Sequence, residues 1–164
     1  MTTGQLVIIG GAEDKKYDKA ILEICSKLLK DKLIIITTAT QQPEEVGAEY
    51  KEIFRELGLE QIEILNIDSR SSANQNSNVK KIKDAEGIFF TGGDQLRITS
   101  LLGGTKVTKM IRQGYEKGKI IMGTSAGAAI MSRLMIVTGD SDQSPKKSSL
   151  KLALGLGLLE DVII

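Results

Sequence analysis

The sequence predicts an α/β fold built on a doubly wound, mostly parallel sheet. Three observations carry the prediction. Five short apolar runs recur along the chain, each is nearly continuous in hydrophobicity rather than alternating, and the segments between them place apolar residues at helical spacing. A strand covered on both faces has no polar side, so unbroken runs of this length point to a sheet with helices on either face. Strand and helix alternating in this rhythm imply right-handed crossovers between parallel strands.

LVIIG, residues 6–10, is the first predicted strand. Tyr17, Ile21, Ile24, Cys25 and Leu28 follow at 3.6-residue spacing and predict a helix with that stripe on the sheet. LIIIT, 33–37, is the second strand, and Val46, Tyr50, Ile53, Phe54 and Leu57 mark the second helix. Pro43 suits the first turn of that helix and Gly58 its end. IEIL, 62–65, is the third strand; the small polar residues from Ser69 to Asn78 after it predict a mobile surface loop. IFFTG, 88–92, is the fourth strand, Val107, Met110, Ile111 and Gly114 form a third helical stripe, and IIMGT, 120–124, is the fifth strand. A short strand is expected at Met135 to Thr138, followed by GDSDQSPKKSSLKL, which has turn and helix-start residues and few apolar anchors. The chain closes on the apolar, strand-like GLGLLEDVII.

All 164 residues are expected in a single α/β domain. With 22 Lys and Arg against 21 Asp and Glu, the net charge of +1 leaves no electrostatic footprint for nucleic acid. The opening MTTGQLVIIG lacks the basic start of a secretory signal, and no run approaches a membrane span, so a cytoplasmic protein that does not enter the membrane is expected. The one cysteine, Cys25, is expected in the core, and with no histidine in the chain a zinc site built from cysteine and histidine is all but impossible. No cofactor or metal is expected.

In a doubly wound sheet ligands bind beyond the carboxyl ends of the strands, so chemistry is sought in the loops. The fifth is Gly123-Thr124-Ser125-Ala126-Gly127, a GxSxG pattern with a strand before and helix-compatible residues after. A serine on such a turn is held in a strained backbone, bulk at either glycine would strike neighbouring elements, and the Ala126 amide at the helix start can stabilise an oxyanion. The same pentapeptide also suits an anion cradle or a packing turn. The fourth loop, Thr91-Gly92-Gly93-Asp94-Gln95, offers a second oxyanion donor among the Gly93 and Asp94 amides if its strand neighbours the fifth. Gln95 and Thr124 are the candidate substrate-contacting side chains; the alternative for Gln95 is a helix-start residue facing water.

VIIGGAEDK, FFTGGDQLRITSLLGGT, GTSAGAAIMS and the spacing into GLGLL together resemble the cyanophycinase family of serine peptidases, related to the aspartyl dipeptidases. The resemblance runs through essentially the whole chain, and the dipeptidase group tends to lack a segment like GGDQ at 92–95. It implies a flavodoxin-like sheet of the class I glutamine amidotransferase type, homodimers, and hydrolysis of the β-linked aspartyl-arginine polymer cyanophycin to dipeptides. Carried over by motif, Ser125 matches the nucleophile, Ala126 and the Gly93 and Asp94 amides match the oxyanion hole, and Gln95 matches a substrate-binding glutamine.

The family's histidine base lies in an Asp-Gln-His segment soon after GLGLL, and its acidic partner further on. Neither has a counterpart in these 164 residues, so the chain is expected to be the amino-terminal part of such a hydrolase, shortened and severely impaired. A serine hydroxyl is a poor nucleophile until a base takes its proton. Two other functions stay open: a non-enzymatic module binding a small anion or nucleotide in the glycine-rich loops, and an aspartyl dipeptidase-like hydrolase. An α/β-hydrolase esterase fits GxSxG alone but lacks an HGGG-like segment.

Overall fold

The computed structural model describes residues 3–138 and 151–164. Strands β1 (Leu6–Ile9), β2 (Leu33–Ile36), β3 (Ile62–Leu65), β4 (Gly87–Phe90) and β5 (Ile120–Thr124) coincide with the five apolar runs. They form one sheet in the order β1-β5-β4-β2-β3, with every one of these pairings parallel. The helices between them are α1 (Ala20–Lys27), α2 (Pro43–Glu56), α3 (Asn76–Asp84), α4 (Gln95–Leu102) and α5 (Lys106–Glu116).

The strands are apolar throughout because alternate residues feed two cores. Leu33, Ile35, Phe89 and Met122 pack on one face with Leu22 and Cys25 of α1 and Tyr50, Ile53 and Phe54 of α2. Ile34, Ile36, Ile88, Phe90 and Ile121 pack on the other with Ile82 of α3, Ile98 of α4, and Val107 and Ile111 of α5. Full burial of each such side chain contributes about 1.5–3 kcal/mol.

Helix α1 departs from the expected stripe. Asp14 accepts hydrogen bonds from the amides of Tyr17, Lys16 and Lys19, winding those residues into a turn, and Lys19 adopts a left-handed φ of 48°, so the helix starts only at Ala20. Its buried face is then Leu22, Cys25 and Ser26, with Tyr17, Ile21 and Ile24 exposed. The Ser69–Asn78 stretch is also more ordered than a mobile loop. A 3₁₀ turn at Ser72–Asn74 buries Ala73, and short polar side chains tie it down: Asn74 Nδ2 donates to the Arg70 carbonyl at 2.7 Å and Asn78 Nδ2 to that of Ser72 at 2.9 Å.

After β5 come a short helix, α6 (Ala126–Ala129), and a second sheet of β6 (Ser132–Thr138), β7 (Lys151–Leu154) and β8 (Leu159–Ile163). β6 lies in the middle, antiparallel to β7 and parallel to β8, and starts three residues earlier than Met135. Most of the GDSDQSPKKSSLKL segment lies outside the described residues. No helix among the described residues is long and apolar enough to cross a membrane.

Candidate active site

The buried run of β5 ends abruptly at Ser125, which is exposed between buried neighbours. Its backbone is held at φ 52° and ψ −112°, a conformation costing about 1–3 kcal/mol that persists only where the surroundings enforce it. They do so here. The Ser125 amide donates to the Ile9 carbonyl at 2.9 Å, and its carbonyl accepts from the Ala128 and Ala129 amides, each at 2.9 Å. The flanking glycines permit the turn by close approach: a Cβ at Gly123 would stand 2.4 Å from the Gly127 carbonyl oxygen, and one at Gly127 2.4 Å from that of Phe90. Ser125 Oγ makes no cap bond to the helix it starts and has no hydrogen-bond partner among the described residues.

Two further loops meet the serine. β4 and β5 are neighbours, with Phe90 opposite Gly123, which brings the 91–95 turn alongside. A Cβ at Gly92 would lie 3.5 Å from Ser125 Cβ. From the other side β1 pairs with β5, Ile9 opposite Thr124, and delivers the Gly10–Glu13 loop. A Cβ at Gly11 would lie 3.2 Å from Ser125 Cβ and 3.6 Å from Oγ. The amides of Gly93 and Ala126 have no acceptor among the described residues.

Three expected contacts are placed otherwise. The Asp94 amide is not free, since it donates to the Ala39 carbonyl at 2.9 Å, and the Asp94 carboxylate caps α4 through the Leu96 and Arg97 amides. Of the expected donors, only the Gly93 and Ala126 amides are left open among the described residues. Thr124 does not face a substrate: it is 3% exposed, and its hydroxyl donates to Glu13 Oε2 at 2.5 Å. Gln95 starts α4 and donates one Nε2 hydrogen to the Ile136 carbonyl at 3.2 Å, leaving its side-chain oxygen and its second Nε2 hydrogen uncommitted.

Glu13 is the residue the sequence reading missed. It is 8% exposed, accepts from Thr124 at one oxygen and from the Tyr50 hydroxyl at the other, and so joins the first loop, α2 and the end of β5. Burial raises its pKa, but the hydrogen bonds from Thr124 and Tyr50 and the nearby Lys15 ammonium outweigh that, holding the carboxyl below the usual glutamate range. Burial and the bond to Glu13 push the Tyr50 hydroxyl the other way, upward. The available signal was an acid two residues beyond a Gly-Gly pair in GGAEDK.

Beyond Gly93 opens a cavity of about 600 Å³ at the carboxyl ends of β2 and β4, lined by Ala39, Gln41, Gly93, Asp94 and Arg97 among others. Ser125 is not part of its lining. No group of three His, Cys, Asp or Glu residues able to hold a metal occurs among the described residues.

The profile of peptidase family S51 matches residues 6–164. The cyanophycinase of Synechococcus elongatus is 38% identical over 165 residues, 98% of this chain and 51% of the relative. That of Nostoc sp. (strain PCC 7120) is 38% identical over 167 residues, 99% of this chain and 56% of the relative. The chain thus spans little more than half the length of these relatives. Among solved structures, a peptidase from an acI-B1 Actinobacterium superposes with a TM-score of 0.70 at 24% identity, covering 95% of this chain and 65% of that one. A protein from Listeria monocytogenes EGD-e gives 0.65 at 21% identity, covering 96% and 76%. At those identities the two structures establish the doubly wound α/β fold, while the profile and the cyanophycinases establish descent: the chain belongs to peptidase family S51.

Proposed function

We propose that residues 1–164 form the nucleophile-bearing part of a serine exopeptidase that hydrolyses β-aspartyl-arginine units of cyanophycin to dipeptides. The observation that carries the proposal is the exposed Ser125, held at φ 52° with an unpartnered hydroxyl at the carboxyl edge of the sheet. The substrate class rests on the relatives, which are named cyanophycinases.

In this reading Ser125 Oγ attacks the carbonyl carbon of the scissile bond while a base removes its proton. Charge then develops on the carbonyl oxygen, where the Gly93 and Ala126 amides receive it; one such donor is worth about 10²–10³ in turnover. The leaving amine takes a proton, and water hydrolyses the acyl-enzyme. Gln95 orients the substrate through its side-chain oxygen, which accepts from an amide or guanidinium N–H. No residue of the 164 is histidine, and no side chain among the described residues bonds to Ser125 Oγ, so in this reading the base comes from elsewhere in the gene product. The proposal extends to a cytoplasmic homodimer.

The test uses the full gene product that contains these residues, with purified cyanophycin as substrate and chromatography of released dipeptide. Ser125→Ala lowers release by about 10⁴-fold or more while the circular dichroism spectrum stays native. The 164-residue chain alone releases dipeptide at a rate as low as that variant. Release that is unchanged in Ser125→Ala overturns the proposal, and a full gene product that cleaves α-linked or other β-aspartyl peptides but not the polymer overturns its substrate.

A further inference from the structure

We propose that Glu13 is a positioning residue whose buried carboxylate clamps Thr124 and so fixes the turn that presents Ser125, a role that rests on the serine-nucleophile reading above. A carboxylate buried to this degree is costly and is kept only where its oxygens are bonded. A core with packing as its only task would place apolar groups at all three positions. Here one oxygen is anchored on α2 by Tyr50, and the other holds the residue immediately before Ser125. Tyr50 is itself immobilised, 3% exposed, its ring 4.9 Å from that of Phe89 and 4.2 Å beneath the Lys15 ammonium, which also pairs with Glu49 at 2.8 Å.

The loop is bent to reach this position. Gly11 and Ala12 both have positive φ, 105° and 52°, in the loop that brings Glu13 to Thr124 and Tyr50. The same bend sets Gly11 against the serine, so one carboxylate fixes both the turn before the nucleophile and the wall beside it. Glu13 makes no hydrogen bond to Ser125 Oγ; its carboxylate partners are Thr124 and Tyr50, and it acts through Thr124 and the loop.

The experiment reads the reactivity of Ser125 in the full gene product that contains these residues, with a fluorophosphonate as probe. A Ser125 Oγ–phosphorus bond forms, fluoride leaves, the base of the full gene product takes the proton, and intact mass reports the adduct. Limiting rate and half-saturating probe concentration are measured per folded molecule. Glu13→Gln, which replaces an acceptor by an amide, and Thr124→Val, which removes the donor, lower the limiting rate about tenfold or more, since displacement by about 1 Å at a reacting centre costs up to about 10²-fold. Half-saturation stays within about twofold, as a loss confined to the reacting geometry requires. Thr124→Ser, which keeps the donor, restores the rate to within about threefold of the parent chain.

If Glu13→Gln does not fold, the two Thr124 variants decide alone. The clamp is overturned if Thr124→Val reacts at the parent rate, or if Thr124→Ser is as slow as Thr124→Val. A parent chain with no adduct, or an adduct that persists in Ser125→Ala, instead removes the serine reading beneath it.

Discussion

Replacing Gly127 by alanine puts a methyl group where no room exists. Its Cβ would lie 2.4 Å from the Phe90 carbonyl oxygen and 2.7 Å from Phe90 Cβ. Carbon and oxygen rest comfortably at about 3.3–3.6 Å, so α6 or β4 must yield by about 1 Å within a close-packed interior. Overpacking costs about 1–3 kcal/mol, and opposition from backbone puts this case at the upper end. Helix propensity returns about 1 kcal/mol, leaving a net loss of about 2 kcal/mol, or about 4–8 °C in Tm for a chain of this size.

Two other glycines separate the contributions. Gly58 has φ 93° and nothing within 4 Å of its Cβ position, so Gly58→Ala registers backbone strain alone, about 1 kcal/mol. Gly10 has open space and lies outside the left-handed region, and Gly10→Ala stabilises by about 0.4–1 kcal/mol through the unfolded chain. Urea unfolding followed by far-ultraviolet circular dichroism orders the variants by midpoint at constant slope. The expected order, most stable first, is Gly10→Ala, parent, Gly58→Ala, Gly127→Ala. A Gly127→Ala midpoint equal to that of the parent refutes the claim that close approach dictates this glycine.

Thr37 Oγ1 is buried with no partner among the described residues, so Thr37→Val raises stability by about 1 kcal/mol in the same urea assay. Glu63 bonds Lys32 and Lys81, each at 2.6 Å, and although burial raises its pKa these partners draw it below its ordinary 4.5. Its folded pKa being the lower one, its stabilisation is complete above pH 4.5 and disappears as pH falls through the folded value; Glu63→Gln flattens that part of a Tm profile taken from pH 6 to 3. Burial, reinforced by the Glu13 charge, raises the Cys25 thiol to about 11, so iodoacetamide at pH 8 modifies it only at the rate of unfolding.

The central sheet was legible because its signal is local. LIIIT and IFFTG have no polar face, and the structure explains this by covering both sides. The first helix was misread because apolar spacing alone does not fix rotation about the axis: the Asp14 turn delays the start to Ala20, and Ile21 and Ile24 face outward. The Ser69–Asn78 residues read as loop because their order comes from side-chain-to-backbone bonds, which composition does not display. At the site, the strained position of Ser125 followed from its two glycines. The commitments of the Asp94 amide to Ala39, of Thr124 to Glu13 and of Gln95 to Ile136 depend on partners distant in the chain, and no local pattern encodes them.

Glu13 and Thr124 are separated by 111 residues, and β1 finds its partner only in β5. At about 5–20 residues per second on the ribosome, about 6–22 s pass between the emergence of the two residues. Throughout that interval the nascent chain can pair β2 with β3 and then with β4, while the first strand waits without a neighbour and the Glu13 carboxylate stays in water. The corner that carries Ser125 is thus the last part of the five-stranded sheet to be completed, and a polysome holding shorter chains presents the first strand as an open edge to every neighbour on the message.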